Sequence, residues 1–282
     1  MSDNSTCPLL DIRNLRISFA TPQGRNEAVR GINLQMGRER IAVVGESGSG
    51  KSISFRSLLG LLPPSATLAA DKLALQGQDL LAIQPRALRQ LRGRRIGMVV
   101  QDPKQGLDPL MTIGKQLAEM LTVHRVVPPA KAHARVLELL AEVHIREPER
   151  VAKLYPHEVS GGMAQRAMVA MMLSAQPDLL IADEATSALD ALVRHRILDL
   201  IDEQVRQRGM GLVLISHDLD LVARYADRIL VMYAGRIVEE LAGNQLQHAT
   251  HPYTQGLLAC RPSLKHLGGD LPVLQREATW LQ

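Results

Sequence analysis

Aromatic residues are scarce in this 282-residue chain, at 2% of the total. Few rings are therefore present on which nucleic-acid bases could stack. The two cysteines, Cys7 and Cys260, lie far apart with no C-x-x-C pair, which predicts unpaired thiols in a reducing compartment. Apolar runs are interrupted well before the ~18 residues that a bilayer-spanning helix requires. The first residues lack the charged-then-apolar layout of a secretory signal. Together these absences predict a soluble, cytoplasmic protein.

The chain is mildly basic, with a formal net charge of +4 and a pI near 9.3. Such a balance can indicate binding to nucleic acid or to an anionic membrane surface. The densest basic cluster consists of Arg86, Arg89, Arg92, Arg94 and Arg95. We interpret it as a solvated helix-and-turn surface, ahead of weak attraction to anionic lipid headgroups. Base readout ranks last, so no nucleic-acid partner is expected.

A glycine-rich pattern, G-x-x-x-x-G-K-[ST], occupies residues 45–52. Glycines there let backbone N–H groups curl around phosphates, and Lys51 would reach the β- and γ-phosphates. The Ser52 hydroxyl would ligate Mg²⁺. Residues 40–44 predict a buried parallel strand before the loop, and residues 51–62 predict a helix whose N-terminus faces the anion. The predicted nucleotide loop consists of Gly45, Glu46, Ser47, Gly48, Ser49, Gly50, Lys51 and Ser52.

Two adjacent carboxylates follow a second apolar segment, residues 179–182. Successive side chains at a strand tip point in different directions, so the two acids can have different roles. We expect Asp183 to hold the Mg²⁺ shell and Glu184 to face an attacking water. A solvated acidic turn is the alternative, but it explains poorly why polar groups directly follow a buried strand.

A second glycine-rich helix start, Ser160-Gly161-Gly162, opens a long amphipathic stretch over residues 163–173. Helix starts of this kind bind anions. One chain with two phosphate-binding elements, and only one matching lysine, predicts that the second element acts on the nucleotide of another subunit.

These motifs, in this order, resemble the ATPase subunits of ABC transporters over nearly the whole chain. The matching segments are Walker A at 45–52, the Q-loop at Gln101, the signature at 160–165, Walker B with its Glu at 179–184, the D-loop at 187–190 and the switch histidine at His217. Within the superfamily, residues 154–163 and 251–254 are similar to the oligopeptide, dipeptide and nickel importer group. The chain departs from that group at Val159, usually Leu, and at Ala185, usually Pro. Neither departure removes a reactive group.

The resemblance implies a role for each matching residue. Glu184 would polarise the attacking water as general base, a role worth ~10²–10⁴-fold in rate. His217 would reach the γ-phosphate, and Gln101 would sense both Mg²⁺ and the water. Asp190 in the D-loop is expected at the nucleotide. Phe19 lies where the family's adenine-stacking aromatic usually lies, although packing in the core explains it equally well.

Strands that alternate with helices predict an α/β fold with a mostly parallel sheet and ligands at the carboxyl ends of its strands. The resemblance specifies a P-loop NTPase (RecA-like) ABC ATPase core with a helical signature subdomain and an antiparallel β element. We assign the core to residues 1–101 and 177–241, the helical subdomain to 102–176, and a short C-terminal extension to 242–282. A hairpin is expected around Ala234-Gly235.

The function implied is ATP hydrolysis, with ATP and Mg²⁺, that energises an importer at the cytoplasmic face of the inner membrane. Its partners would be two membrane permease subunits, a second ATPase chain (a paralogue or a second copy) and, indirectly, an extracytoplasmic solute-binding protein. Peptides, nickel and metal–chelator complexes all remain open as cargo. A soluble ABC ATPase acting on DNA or ribosomes would carry a long coiled-coil insert or tandem cassettes. A simple P-loop kinase would not explain the Ser160 motif.

Two further features allow more than one interpretation. The apolar stretches 107–111 and 117–123 follow Gln101 and suit docking of a short helix from a membrane partner, or else they pack inside the helical subdomain. His248 and His251 could indicate a nickel site, but a histidine pair in a short surface segment is more often ordinary.

Overall fold

The computed structural model describes residues 7–22, 24–185, 191–260 and 280. The strands are β1 (Leu10–Thr21), β2 (Gly24–Met36), β3 (Arg40–Val44), β4 (Ala66–Ala69), β5 (Lys72–Leu75), β6 (Gln78–Asp79), β7 (Ile96–Val99), β8 (Leu179–Asp183), β9 (Gly211–Ile215), β10 (Arg228–Tyr233) and β11 (Arg236–Ala242). The helices are α1 (Lys51–Arg56), α2 (Pro85–Leu91), α3 (Pro103–Gly106), α4 (Ile113–Val123), α5 (Pro129–Glu142), α6 (Pro148–Val151), α7 (Gly161–Leu173), α8 (Ala191–Arg208), α9 (Leu219–Tyr225) and α10 (Pro252–Ala259). Short 3₁₀ turns occupy Ser57–Leu59, Pro156–Glu158 and Gly243–His248.

The chain divides into two compact units, one of residues 1–82 and 214–282 and one of residues 83–213. The second unit holds all of the predicted helical subdomain, 102–176, together with β7, β8 and α8. The three-part division of the chain stays a prediction. Within the described residues, no helix combines the length and the apolar character needed to cross a bilayer.

An antiparallel sheet in the first unit is built around β1, which pairs with β2, β4 and β5, while β5 also pairs with β6. Inward-facing side chains of β1 alternate, first Leu10 and Ile12, then Leu15 and Ile17. The alternation changes phase between Ile12 and Leu15, where the pairing with β2 is irregular and Asn14 has φ +49°. Such an irregularity lets one strand keep its apolar residues on the buried face.

The same unit contains β10, which pairs in parallel with β3 and antiparallel with β11. The turn between β10 and β11 is Ala234-Gly235, with φ +45° and +84°. Positive φ at both central residues is the geometry of a type I′ hairpin turn. The predicted hairpin is therefore confirmed.

The second unit pairs β7 with β8 in parallel, from Ile96↔Leu179 to Val99↔Ala182. Its helices bury apolar side chains at helical spacing, as in Ile113, Leu117 and Leu121 of α4. Helix α7 differs from the predicted amphipathic stretch, because nearly every side chain from Ala164 to Leu173 is buried. A helix that is apolar on all sides is an interior helix.

Several local boundaries differ from the sequence prediction. The helix after the glycine-rich loop ends at Arg56 rather than residue 62, and a 3₁₀ turn and Gly60, with φ +60°, follow it. A left-handed glycine is a common helix stop. Helix α10, with Pro at its first turn, and the short strands β4 and β6 were not predicted. Helix α2 lies within the segment that was interpreted as a helix-and-turn surface.

Glu239 of β11 anchors the segment that leads into α10. Its Oε1 accepts hydrogen bonds from Thr250 N (2.6 Å), Thr250 Oγ1 (3.0 Å) and His251 N (3.1 Å). Burial alone would raise the pKa of this carboxyl, but the nearby Thr254 side chain and the hydrogen bonds from Thr250 and His251 outweigh it and lower the pKa below its usual value. The folded state therefore favours the ionised form.

We expect Glu239→Gln to lower the free energy of unfolding by about 1–2 kcal/mol at neutral pH, because charge-assisted hydrogen bonds are lost. A carboxyl with a lowered folded-state pKa stabilises the protein above its unfolded-state value and loses that effect as the pH falls through the folded-state value. The difference between wild type and variant should therefore shrink below about pH 4.5. Urea unfolding of wild type and variant at neutral pH and below about pH 4.5 measures this difference in stability, with Glu240→Gln as the control. An equal loss in both variants would contradict the anchoring role.

Candidate functional site

Lys51 is the first residue of α1 and directly follows the glycine-rich loop that joins β3 to this helix. Its side chain is 5% exposed, and its Nζ donates hydrogen bonds to the carbonyl oxygens of Gly45 (2.7 Å) and Glu46 (2.8 Å). Ser49 Oγ lies 3.4 Å from the same nitrogen. The loop thus closes around the ammonium group of Lys51, which its backbone carbonyl oxygens hold. The predicted strand, loop and helix order is confirmed for this segment.

The back of the loop packs against β10 and the hairpin turn. A Cβ added to Gly45, which has φ +144°, would lie 2.1 Å from the carbonyl oxygen of Met232. Gly235 N donates a hydrogen bond to Ser49 O (3.0 Å), and Gly235 O accepts one from Arg30 N (2.8 Å). The loop conformation is therefore fixed by neighbours from β2 and the β10–β11 hairpin as well as by its own glycines.

Helix α10 also contacts the loop, which the sequence analysis missed. The backbone N–H of Glu46 donates a hydrogen bond to the hydroxyl of Tyr253 (2.9 Å). The side chain of His251 caps the helix, since its Nδ1 accepts from Tyr253 N (3.2 Å). His251 is therefore occupied in local structure, which favours the ordinary interpretation of the histidine pair over a metal site. From the sequence, residues 251–254 indicated only a similarity to the oligopeptide, dipeptide and nickel importer group.

Asp183 is the last residue of the fully buried strand β8 in the second unit, and Glu184 directly follows the strand. Asp183 is 3% exposed, whereas Glu184 is half-buried and has φ +48°. A left-handed backbone is uncommon for a residue with a side chain. The chain therefore turns immediately after the strand, and the separate roles of the two carboxylates stay a prediction. Gln101 is exposed and follows β7 by two residues, at the same end of the β7–β8 pair.

Gln165 joins the signature helix to this turn. The side chain is 1% exposed, and its Nε2 donates a hydrogen bond to the carbonyl oxygen of Ala185 (2.6 Å), the residue after Glu184. The contact is local to the second unit. It offers a structural reason for a polar side chain in a helix that is otherwise apolar.

The signature segment begins α7 as predicted. Ser160 is the N-cap, and its Oγ accepts a hydrogen bond from Met163 N (3.3 Å). Gly161 is exposed, and a Cβ added there would meet no atom within 4 Å; at Gly162 it would only touch Val193 at 3.4 Å. Glycine in a helix costs about 0.5–1 kcal/mol relative to alanine. Packing among the described residues explains neither glycine.

The remaining predicted residues are placed as follows. His217 is exposed between β9 and α9, and the preceding Ser216 N donates to Val43 O (3.2 Å), which puts it near the end of β3 where the loop begins. Phe19 is half-buried near the end of β1 and pairs with Asn26 and Ala66, so its two interpretations stay open. Asp190 lies outside the described residues.

The family comparison and the individual relatives both indicate transport ATP-binding proteins. The family described as ABC transporter matches residues 29–187. The peptidoglycan transport ATP-binding protein YejF of Agrobacterium fabrum is 45% identical over 281 residues, which is 98% of this chain and 52% of that protein. The oligopeptide transport ATP-binding protein OppD of Bacillus subtilis is 42% identical over 265 residues, 93% of this chain and 74% of that protein. This chain therefore spans about half the length of the first and about three quarters of the second.

A solved structure is similar over most of the chain. It is the dimer of an ATP-binding cassette in a post-hydrolysis state with ADP and Pi, with a TM-score of 0.74 and 25% identity over 83% of this chain and 99% of that one.

Proposed function

The chain belongs to the ABC transporter family and is an ATPase of that family, and on this premise we propose that it energises a peptide importer from the cytoplasmic face of the membrane. The observation that carries the proposal is the loop closed around Lys51. A lysine held by carbonyl oxygens can exchange them for the β- and γ-phosphate oxygens of ATP. The relatives, a peptidoglycan and an oligopeptide transport ATP-binding protein, favour peptides over nickel as cargo.

Each candidate side chain has one task in this proposal. Lys51 and the loop amides neutralise phosphate charge, which is the main requirement of phosphoryl transfer to water. Glu184, whose backbone is left-handed directly after β8, accepts a proton from the attacking water. His217 contacts the γ-phosphate. Phe19 and Asp190 contact the nucleotide.

Oxygen donors suited to Mg²⁺ are present among the predicted ligands. Ser52 supplies a hydroxyl, Gln101 an amide oxygen, and Asp183 a carboxylate that is 3% exposed. Mg²⁺ prefers such hard oxygen ligands. The bound ion would neutralise charge on the phosphates.

The signature segment acts on the nucleotide of a second ATPase chain. Gly161 and Gly162 leave the first turn of α7 without side chains, although packing among the described residues requires no glycine there. A bare helix start lets phosphates approach the backbone amides closely. Ser160, Gly161 and Gly162 would thus close on the partner's ATP, in a head-to-tail dimer of this chain with a paralogue or with itself.

Leu110 is the feature that favours docking onto two membrane permease subunits. Its side chain is 85% exposed in the loop before α4. The loop is held rigidly: Gln116, 6% exposed, accepts from Asp108 N (2.8 Å) and donates to Asp108 O (2.9 Å) and Met111 O (3.0 Å). An exposed leucine on a fixed loop suits a shallow apolar contact with a partner helix. An extracytoplasmic binding protein would deliver the cargo.

The other apolar residues of the predicted docking stretches have a different place. Leu107, Leu117 and Leu121 are buried, so they pack inside the second unit, whereas Val123 is 65% exposed. The docking prediction therefore keeps Leu110, the half-buried Met111 and Val123.

We expect Leu110→Asp to abolish copurification with the permeases and the stimulation of ATPase activity by them, because a charge replaces the apolar contact. The Kd for ATP should stay within about twofold of wild type, since an exposed site changes stability by less than about 0.5 kcal/mol. Leu81→Asp is the matched control, because it places the same charge at an exposed leucine outside the predicted docking stretches. Copurification of Leu110→Asp at the wild-type level would move the docking surface elsewhere.

A further inference from the structure

Tyr253 is a buried side chain whose polar end reaches the phosphate loop. It is 0% exposed, and its hydroxyl oxygen accepts the hydrogen bond of the Glu46 amide at 2.9 Å. Glu46 is the second residue of the loop, and its carbonyl oxygen is one of the two that hold Lys51 Nζ. Glu46 is thus held at both of its backbone groups. Its N–H contacts the Tyr253 hydroxyl, and its C=O contacts the lysine proposed to bind phosphate.

The ring of Tyr253 is locked in place by two other aromatic residues. The centroid of the Tyr233 ring lies 4.5 Å away, and that of Trp280 lies 5.6 Å away. Tyr233 and Trp280 are also in edge contact, at 5.5 Å. Three rings in mutual contact restrict rotation of each one. In a chain with 2% aromatic residues, this concentration behind the loop is unusual.

The backbone of Tyr253 is fixed independently of the loop. His251 caps the first turn of α10, and Glu239 holds the two residues before the helix through three hydrogen bonds. The neighbouring Thr254 is fully buried. The position of the Tyr253 hydroxyl oxygen is therefore set without the loop, and the Glu46 amide of the loop donates to it there.

We propose that Tyr253 is a positioning residue for ATP, acting through the Glu46 amide to set the phosphate loop before nucleotide arrives. The proposal rests on the assignment of this loop as the ATP site. A preset loop loses less conformational freedom when phosphate binds, so its effect falls on nucleotide affinity. The chemical step depends on other groups, so turnover at saturating ATP changes little.

The test is Tyr253→Phe in the full chain, which keeps the ring and removes the acceptor. We expect the Kd for ATP and ADP, measured by calorimetry, and the KM for ATP to rise about three- to tenfold, the range that loss of one hydrogen bond produces. The kcat should stay within about twofold of wild type, since binding is altered rather than the chemical step. Tyr233→Phe is the control, because it removes a hydroxyl from the neighbouring ring that is not the acceptor for Glu46.

Thermal unfolding without nucleotide separates positioning from general stability. A Kd within twofold of wild type, with or without a lower unfolding midpoint, would overturn the proposal, and so would an equal rise in Kd in Tyr233→Phe. A fall in kcat without a change in Kd or KM would overturn it as well. If wild type itself bound no ATP or ADP, the assignment of the loop would fail instead.

Discussion

Glu184→Gln is expected to abolish ATP turnover while ATP binding persists. The substitution keeps the size of the side chain and its left-handed backbone position. It removes the carboxylate that we propose as the acceptor of the water proton. General-base removal costs about 10²–10⁴-fold in rate, so kcat should fall by at least a hundredfold. The Kd for ATP should change less than about threefold, because the variant lacks only an interaction made in the transition state. Single-turnover hydrolysis and calorimetry measure the two quantities.

Glu119→Gln, at an exposed position of α4, is the control for loss of a carboxylate. We further expect the Glu184→Gln chain to remain closed on ATP only when a partner ATPase is present, since the proposed dimer pairs this chain with a paralogue on the membrane subunits. ATP-driven self-association of the variant in solution would instead favour a symmetric pair. Hydrolysis within a few-fold of wild type would show that Glu184 is not the base.

Gly45→Ala is expected to abolish ATP binding by displacing the phosphate loop. The added methyl would lie 2.1 Å from the backbone oxygen of Met232, and Gly45 has a φ that alanine rarely adopts. Because the nearest atom belongs to the backbone, either the loop or β10 must move. Overpacking of this kind costs about 1–3 kcal/mol in folding free energy. Affinity for ATP should fall by more than tenfold, because the displaced loop no longer places its amides and Lys51 where the proposed phosphate site requires them.

Gly37→Ala is the matched control, since a Cβ there meets nothing within 4 Å. Calorimetry with ATP and urea unfolding should be performed on both variants. Unchanged ATP affinity in Gly45→Ala would mean that the contact with Met232 does not define the loop.

The phosphate loop could be predicted from sequence because its determinants are local. The apolar strand, the glycines and Lys51 lie within thirteen residues, 40–52, and the strand was found at its predicted bounds. The hairpin at Ala234-Gly235 is of the same kind. The end of α1 was predicted too late because Gly60, a local stop signal, was read as part of the helix.

The support behind the loop could not be predicted, because it depends on residues distant in sequence. Glu46 and Tyr253 are 207 positions apart. Short α10 gives little periodic signal, and its capping by His251 was less obvious than a metal or surface interpretation. In α7, periodicity indicated one apolar face, but the helix is enclosed on several sides, which only tertiary packing decides.

The most direct test of the proposed function is uptake of a labelled oligopeptide into proteoliposomes that contain this chain, its partner ATPase and the neighbouring genes' permeases, with the binding protein on the opposite side. We predict ATP-dependent uptake with the wild-type chain and none with Glu184→Gln, although both bind ATP. Uptake that persists with Glu184→Gln, or ATP hydrolysis by the wild-type complex without any peptide uptake, would contradict the account.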